Sequence, residues 1–200
     1  MGYEELKKSL REDEVKSQVL MDLGINLDMR YNIDCYHENV LFEFKFDKDV
    51  RKEEVIAQAM YYLNILFFKG DKLPSFFSLI NVNECAVFET NLFKDIFTNK
   101  SNFVEGSPSS PSIKVMEKVG EFKNSLYFYS DFETEQNYLD SLSALKDLIK
   151  RRKILATKIK AANVKRAYNG YVRQLGDYIM ENSNSNGVFE TYCLICLFFY

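Results

Sequence analysis

The chain has 200 residues, of which 46% are hydrophobic and 28% are charged, and its formal net charge is −3. This composition excludes intrinsic disorder and is enough to bury the core of one domain with an appendage. The longest apolar runs, residues 65–68 and 193–200, fall far short of the roughly 20 residues that a membrane-spanning helix needs. Because the first residues also lack the apolar stretch of a signal peptide, we expect a cytoplasmic protein with no membrane partner.

Hydrophobic periodicity in the first third of the chain changes from helix to strand and back to helix. Residues 5–23 have apolar side chains at helical spacing, and Gly24 follows as a helix C-cap. Residues 31–46 have the alternation of two strands around a turn at Glu38-Asn39. Residues 53–68 again have a helical pattern, with two acidic residues at the start.

The pattern then returns to strands and ends in a long helical region. Two β-rich runs, residues 76–82 and 85–89, are followed by a loop at 99–112 that is rich in Ser, Gly and Pro. Residues 113–132 fit neither period, and residues 135–181 are predicted to be helical. The order helix, strands, helix, strands predicts an α/β fold.

A two-residue turn at Glu38-Asn39 sets the register of the predicted hairpin. It places Asp34 opposite Glu43 and Asn32 opposite Lys45, so these four polar side chains share one face. The other face is apolar and is predicted to be core. Its members are Tyr31, Ile33, Cys35, Phe42, Phe44 and Phe46.

The polar face of the hairpin suggests metal chemistry. Asp34 and Glu43, if directly opposed, repel each other unless a cation lies between them. Mg²⁺ binds through one or two carboxylates and takes further contacts from water and phosphate. Lys45 would orient or help to deprotonate a metal-bound water, or stabilise charge on the phosphate. These residues predict metal-assisted phosphodiester hydrolysis, and the alternative is a solvated sheet face with alternating charges.

In this order and at these spacings, the residues resemble the PD-(D/E)xK nuclease superfamily. The resemblance is closest to the nuclease domains of type I restriction motor subunits and of fused type II restriction-modification enzymes. The motif's Asp matches Asp34, although Ile33 stands where the motif has proline, and its Glu-Xaa-Lys matches Glu43-Phe44-Lys45. One branch adds Gln-x-x-x-Tyr on the next helix, and Gln58 and Tyr62 match it on one helix face.

The resemblance implies a restriction-endonuclease-like core, with a central mixed β-sheet flanked by helices, and a Mg²⁺-dependent DNA endonuclease in which Mn²⁺ can substitute. It implies that Mg²⁺ is held by Asp34, Glu43 and the backbone carbonyl of Phe44. Lys45 would act on the attacking water.

Three further side chains complete the implied site. The first helix of the family often supplies a carboxylate, for which Glu12 is the first choice here and Glu14 the alternative. Gln58 and Tyr62 would position the substrate, whereas the alternative for them is a helix that simply packs against the core.

The charge distribution and the loop at 99–112 predict three parts. Residues 1–98 form the nuclease core, residues 99–134 form a loop with peripheral elements, and residues 135–200 form a basic helical extension. Within residues 146–173, ten basic residues and one acidic residue give a net charge of +9, which leaves −12 for the rest of the chain. A basic run there is a candidate for contact with DNA phosphates: Lys150, Arg151, Arg152 and Lys153.

The expected partners follow from the same parts. Double-stranded DNA is the expected substrate. The apolar residues 193–200 predict packing on preceding helices or a further domain in a longer polypeptide, and the resemblance adds methyltransferase, specificity or motor domains or subunits. The alternative function is a non-catalytic module that binds nucleic acid or protein through the basic helix.

Overall fold

The computed structural model describes residues 2–26 and 33–150, together with Tyr168 and Val172. By contacts, the chain divides into two compact units, residues 1–153 and residues 154–200. The secondary structure below belongs to the first unit. In the second, Tyr168 and Val172 are helical. Among the described residues, no helix has both the length and the apolar character needed to cross a membrane.

Two helices, not one, form the N-terminal region. Helix α1 spans Gly2–Lys7 and helix α2 spans Glu12–Leu23. The single predicted helix at 5–23 was therefore wrong, and Leu10, assigned to its apolar stripe, is exposed. The break is stabilised by Glu14, whose Oε2 accepts the backbone N–H of Leu10 at 2.7 Å. The predicted C-cap is confirmed, because Gly24 is left-handed and its N–H bonds to carbonyls of the last turn of α2.

The predicted hairpin is present, but its strands are short. Strand β1 spans Cys35–His37 and strand β2 spans Val40–Phe44, and the two-residue turn and the pairing of Cys35 with Phe42 are confirmed. Ile33 was placed on the wrong face, since it lies in the other core cluster from Cys35 and Phe42. The cause is a bend at Asp34 that ends the strand alternation. The predicted partner of Lys45, Asn32, and core residue Tyr31 lie outside the described residues.

The next elements complete the sheet. Helix α3 spans Glu53–Phe68, as predicted, and strands β3 and β4 span Phe76–Ile80 and Glu84–Glu89. Asn81 forms the turn between these strands, because its Oδ1 accepts the N–H groups of Asn83 and Glu84.

The predicted loop at 99–112 contains a short 3₁₀ turn, Lys100–Phe103, which Asn99 caps. Short helical elements also precede it, a 3₁₀ turn at Thr90–Phe93 and helix α4 at Lys94–Phe97.

Residues 113–132, which had no clear period, contain one helix and one strand. Helix α5 spans Ile113–Gly120 and is capped by Ser112, and strand β5 spans Phe128–Asp131. Helix α6 begins at residue 135, where Thr134 Oγ1 accepts the N–H of Asn137, and continues to residue 150 at the edge of the described region. This confirms the first part of the predicted helix at 135–181.

The five strands form one mixed sheet in the order β1-β2-β3-β4-β5. Only β2 and β3 are parallel, and α3 makes the crossover between them. Each face of the sheet carries its own core cluster. One cluster contains α3 and α5, and the other contains α1, α2 and α6. The chain is therefore an α/β protein with a mixed sheet between helical layers, and β2 is buried along its length because both of its faces are covered.

The α2 helix is tied to α6 by a buried hydrogen bond. Tyr138 is buried, and its hydroxyl donates to Asp22 Oδ2 at 2.7 Å. We expect Tyr138→Phe to lower the free energy of unfolding by about 0.5–1.5 kcal/mol, because it removes this bond without creating a cavity. Urea denaturation monitored by circular dichroism measures the difference. An unchanged free energy of unfolding would show that this hydrogen bond makes no net contribution to stability.

Candidate active site

Lys45 is a buried lysine at the carboxyl end of β2, and it is the centre of a group of charged side chains. Its backbone N–H bonds to the carbonyl of Ile80 at 2.8 Å, which extends the pairing with β3 by one residue. Its ammonium donates to Glu43 Oε1 and to the carbonyl oxygen of Phe44, both at 2.7 Å, and lies 3.5 Å from Glu12 Oε2. The residue is 7% exposed. Burial lowers the pKa of Lys45, but the carboxylates around it outweigh burial and raise the pKa, so the ammonium stays charged.

Glu43 is almost completely removed from solvent, at 1% exposure. It follows Leu41 by two residues in β2 and so projects from the sheet face that α3 covers. Burial raises the pKa of Glu43 to about 8, which the charge of Lys45 partly offsets and those of Asp34 and Glu12 reinforce. Its Oε2 is buried and has no hydrogen-bond partner among the residues that the structure describes. A solvated sheet face, the alternative interpretation of this alternating sequence, is therefore wrong for Glu43 and Lys45.

Asp34 is held at the carboxyl end of β2 by a hydrogen bond from the backbone. Its Oδ2 accepts the backbone N–H of Phe44 at 2.9 Å, and its Oδ1 accepts the ammonium of Lys16 at 3.1 Å. The strand pairing stops at Cys35, so Asp34 does not stand across a ladder from Glu43 as an ordinary pair. The two carboxylates interact electrostatically, because the charge of Asp34 contributes to the raised pKa of Glu43.

The two candidate carboxylates of α2 have different surroundings. Glu12 lies 3.5 Å from the Lys45 ammonium. Glu14 instead binds the N–H of Leu10 and pairs with Arg11 at 2.9 Å, so it serves the turn between α1 and α2. Glu12, the first choice from sequence, is the one that lies beside Lys45.

Gln58 and Tyr62 lie on one face of α3, and the amide of Gln58 donates to the Tyr62 hydroxyl at 3.2 Å. Burial raises the pKa of Tyr62 to about 12, and the charges of Glu43, Asp34 and Glu12 add to the increase. Tyr62 is therefore within electrostatic reach of all three carboxylates. Tyr62 also belongs to the core cluster that contains α3. It therefore packs in the core and also lies near the charged side chains.

The number of carboxylates that come together decides whether these residues suit a metal ion. Among the residues that the structure describes, no group of three or more His, Cys, Asp or Glu side chains is close enough to hold a metal. The predicted ligands are fewer, namely Asp34, Glu43 and the Phe44 carbonyl, which matches the one or two carboxylates typical of Mg²⁺ sites. The unpartnered Glu43 Oε2 fits a hard cation, since such an ion would satisfy a buried oxygen that the protein leaves without a donor.

One residue beside the predicted set was given no role from the sequence. Lys16 contacts Asp34, and it stands one helical turn after Glu12 on α2. That i, i+4 spacing puts the two side chains on one helix face and is the signal that could have identified it.

The basic run was predicted as a DNA contact from its charge. Lys150 is exposed at the last described position of α6. Arg151, Arg152 and Lys153 lie outside the described residues, so their role stays a prediction.

No protein-family model, curated protein or solved structure matches this chain.

Proposed function

We propose that this chain contains a restriction-endonuclease-like core and cleaves double-stranded DNA by Mg²⁺-dependent phosphodiester hydrolysis. The observation that carries the proposal is the buried Oε2 of Glu43, which no donor in the described part of the chain contacts, next to the ammonium of Lys45. Leaving a carboxylate oxygen without a donor costs free energy, and such costs concentrate where a ligand or reaction compensates for them. Glu12 and Asp34 come from separate segments of the chain, and the negative charge of each helps to raise the pKa of Glu43.

Each side chain has a distinct role in this proposal. Asp34, Glu43 and the Phe44 carbonyl would hold Mg²⁺, which when bound supplies Lewis-acid activation of water and phosphate. Lys45 carries a permanent positive charge in a site with little solvent, where it would stabilise negative charge that develops on the phosphate. Glu12 would orient the Lys45 ammonium.

The pair on α3 contributes hydrogen-bond donors. With its pKa raised to about 12, Tyr62 keeps its proton at neutral pH and can donate to a phosphate oxygen. Gln58 holds the Tyr62 hydroxyl by its own N–H. The pair would therefore position the substrate without taking part in bond cleavage.

DNA as the substrate rests on the motif resemblance and on the net charge of +9 over residues 146–173. The same resemblance makes the chain the cytoplasmic cleavage part of a restriction-modification enzyme, with methyltransferase, specificity or motor domains or subunits as its partners.

Nicking of supercoiled plasmid DNA by the full chain tests the proposal. We expect nicking with Mg²⁺ or Mn²⁺, none with EDTA, and at least a hundredfold loss in Asp34→Asn, since that substitution removes a charged ligand while keeping the side-chain shape. Asp140→Asn is the matched control, because Asp140 is exposed on α6 and bonds only to Gln136 among the described contacts.

Two results would contradict the proposal. The first is nicking by Asp34→Asn at the wild-type rate, which would show that Asp34 takes no part in the reaction. Alternatively, DNA binding indifferent to Mg²⁺ and to Asp34, without nicking, would favour the non-catalytic binding module.

A further inference from the structure

The ammonium of Lys16 lies between two carboxylates, one part-buried and one exposed. It lies 3.1 Å from Asp34 Oδ1 and 3.6 Å from Asp13 Oδ1. The side chains of Lys16 and Asp34 are only 13% and 16% exposed, whereas that of Asp13 is 88% exposed. The ammonium therefore has an inner partner, which solvent screens little, and an outer partner in open solvent.

The inner partner is a proposed metal ligand. Asp34 Oδ2 already accepts the Phe44 N–H, so the Lys16 ammonium holds the other oxygen of the same carboxylate. A divalent cation that binds Asp34 Oδ1 meets this ammonium at the same atom. Two cations at one oxygen repel each other, so one has to move.

The geometry of α2 gives the ammonium a place to move. Asp13 precedes Lys16 by three residues on the helix, which keeps the two side chains within reach of each other in any state of the site. The flexible stem of lysine lets its ammonium change partner without movement of the backbone.

We infer that Lys16 is a resident counter-ion of the proposed metal site, which holds Asp34 in the metal-free protein and transfers to Asp13 when a divalent cation binds. This inference rests on the proposed function. It makes Lys16 a positioning residue that sets metal affinity, and it assigns Asp13, outside the site, the role of its alternative partner.

Isothermal titration of the full chain with Mn²⁺ tests the inference without any measurement of activity. We expect Lys16→Met to bind Mn²⁺ about three- to tenfold more tightly than wild type, because the competing charge is gone while the Phe44 N–H still orients Asp34. Lys16→Arg keeps the charge and should bind as wild type does. Lys8→Met is the matched control, since Lys8 makes an exposed pair with Glu5 at 3.0 Å and its loss changes net charge equally.

Asp13 provides the second half of the test. Asp13→Asn should weaken Mn²⁺ binding a few-fold, because Lys16 then lacks its outer partner. In the Lys16→Met background, the same change should have a clearly smaller effect, and this non-additivity separates transfer of the ammonium from the general loss of negative charge.

The outcomes separate this inference from the proposed function. An Mn²⁺ affinity in Lys16→Met equal to or weaker than that of wild type overturns the inference, while nicking by wild-type protein would leave the proposed function standing. An equal gain in Lys8→Met, or additive effects of Asp13→Asn and Lys16→Met, also overturns it. If wild type binds no more Mn²⁺ than Asp34→Asn does, both the metal site and the role of Lys16 are wrong.

Discussion

Replacing Glu43 by glutamine is expected to raise the stability of the metal-free protein relative to wild type as pH rises, and to abolish metal-dependent cleavage of DNA. Glu43 is buried beside Lys45, and burial raises its pKa to about 8. Glutamine keeps the shape of the side chain and an oxygen that can accept from Lys45, but it carries no charge that burial would penalise. Loss of the charged ligand should lower nicking at least about a hundredfold, the scale on which single charge-stabilising groups act.

The pH dependence of stability gives this prediction a definite sign. Because the pKa of Glu43 is higher in the folded state than its ordinary value of 4.5, the folded protein binds one more proton than the unfolded chain between these values. The stabilisation from the proton is complete at low pH and is lost as pH rises toward 8. The stability of Glu43→Gln relative to wild type should thus rise between about pH 5 and pH 8, and then level off.

Urea denaturation of both proteins in EDTA from pH 5 to pH 9 measures the difference. Addition of Mn²⁺ should raise the melting temperature of wild type much more than that of Glu43→Gln, which keeps Asp34 and the Phe44 carbonyl but lacks the Glu43 carboxylate. A constant free-energy difference across this pH range would contradict the raised pKa. Nicking by Glu43→Gln at the wild-type rate would remove Glu43 from the chemistry.

Periodicity predicted the elements whose apolar positions extend over several turns or several alternations. Helix α3 was predicted at 53–68 and is observed at Glu53–Phe68. The break between α1 and α2 was missed, because Leu6 and Leu10 keep helical spacing across it. The interruption depends on a side chain, Glu14, that bonds to the backbone of Leu10, and apolar spacing carries no information on such a bond.

The charged group was partly predictable for a related reason. The two-residue turn fixes the pairing of Cys35 with Phe42, which brings the preceding Asp34 to the same end of the hairpin as Glu43. Spacing alone could not show that Glu43 would be buried, since that depends on how α3 covers the sheet. It also could not show Asp34 bonded to the Phe44 N–H or Lys16 placed on Asp34, because both contacts require the bend before β1 and the position of α2.

Replacing Lys45 by methionine is expected to remove nicking and to destabilise the metal-free protein. Lys45 is the cation that contacts Glu43, the Phe44 carbonyl and Glu12 at once. It is also the main influence that lowers the pKa of Glu43, so its loss raises that pKa further. At pH 9 the variant must either ionise Glu43 without a cationic partner or keep it protonated far above its ordinary pKa, and we expect either state to cost about 3 kcal/mol or more.

The double variant Glu43→Gln/Lys45→Met separates stability from catalysis. Removing both charges leaves neutral groups of similar volume, and replacing a buried ion pair in this way is often neutral or stabilising. We therefore expect the double variant to recover most of the stability lost in Lys45→Met at pH 9 and to remain inactive on plasmid DNA. Lys48→Met is the control, since Lys48 lies in the loop after β2, is half exposed and pairs with Glu54 of α3.

Urea denaturation at pH 7 and pH 9 and plasmid nicking would be measured for all of these variants. If Lys45→Met and the double variant lose the same stability, the destabilisation comes from altered packing and not from an uncompensated charge on Glu43. If Lys45→Met nicks DNA as fast as Lys48→Met, the ammonium has no role in the reaction. Loss of nicking in a double variant as stable as wild type would assign Lys45 and Glu43 to the chemistry, because a folding defect could no longer account for the loss.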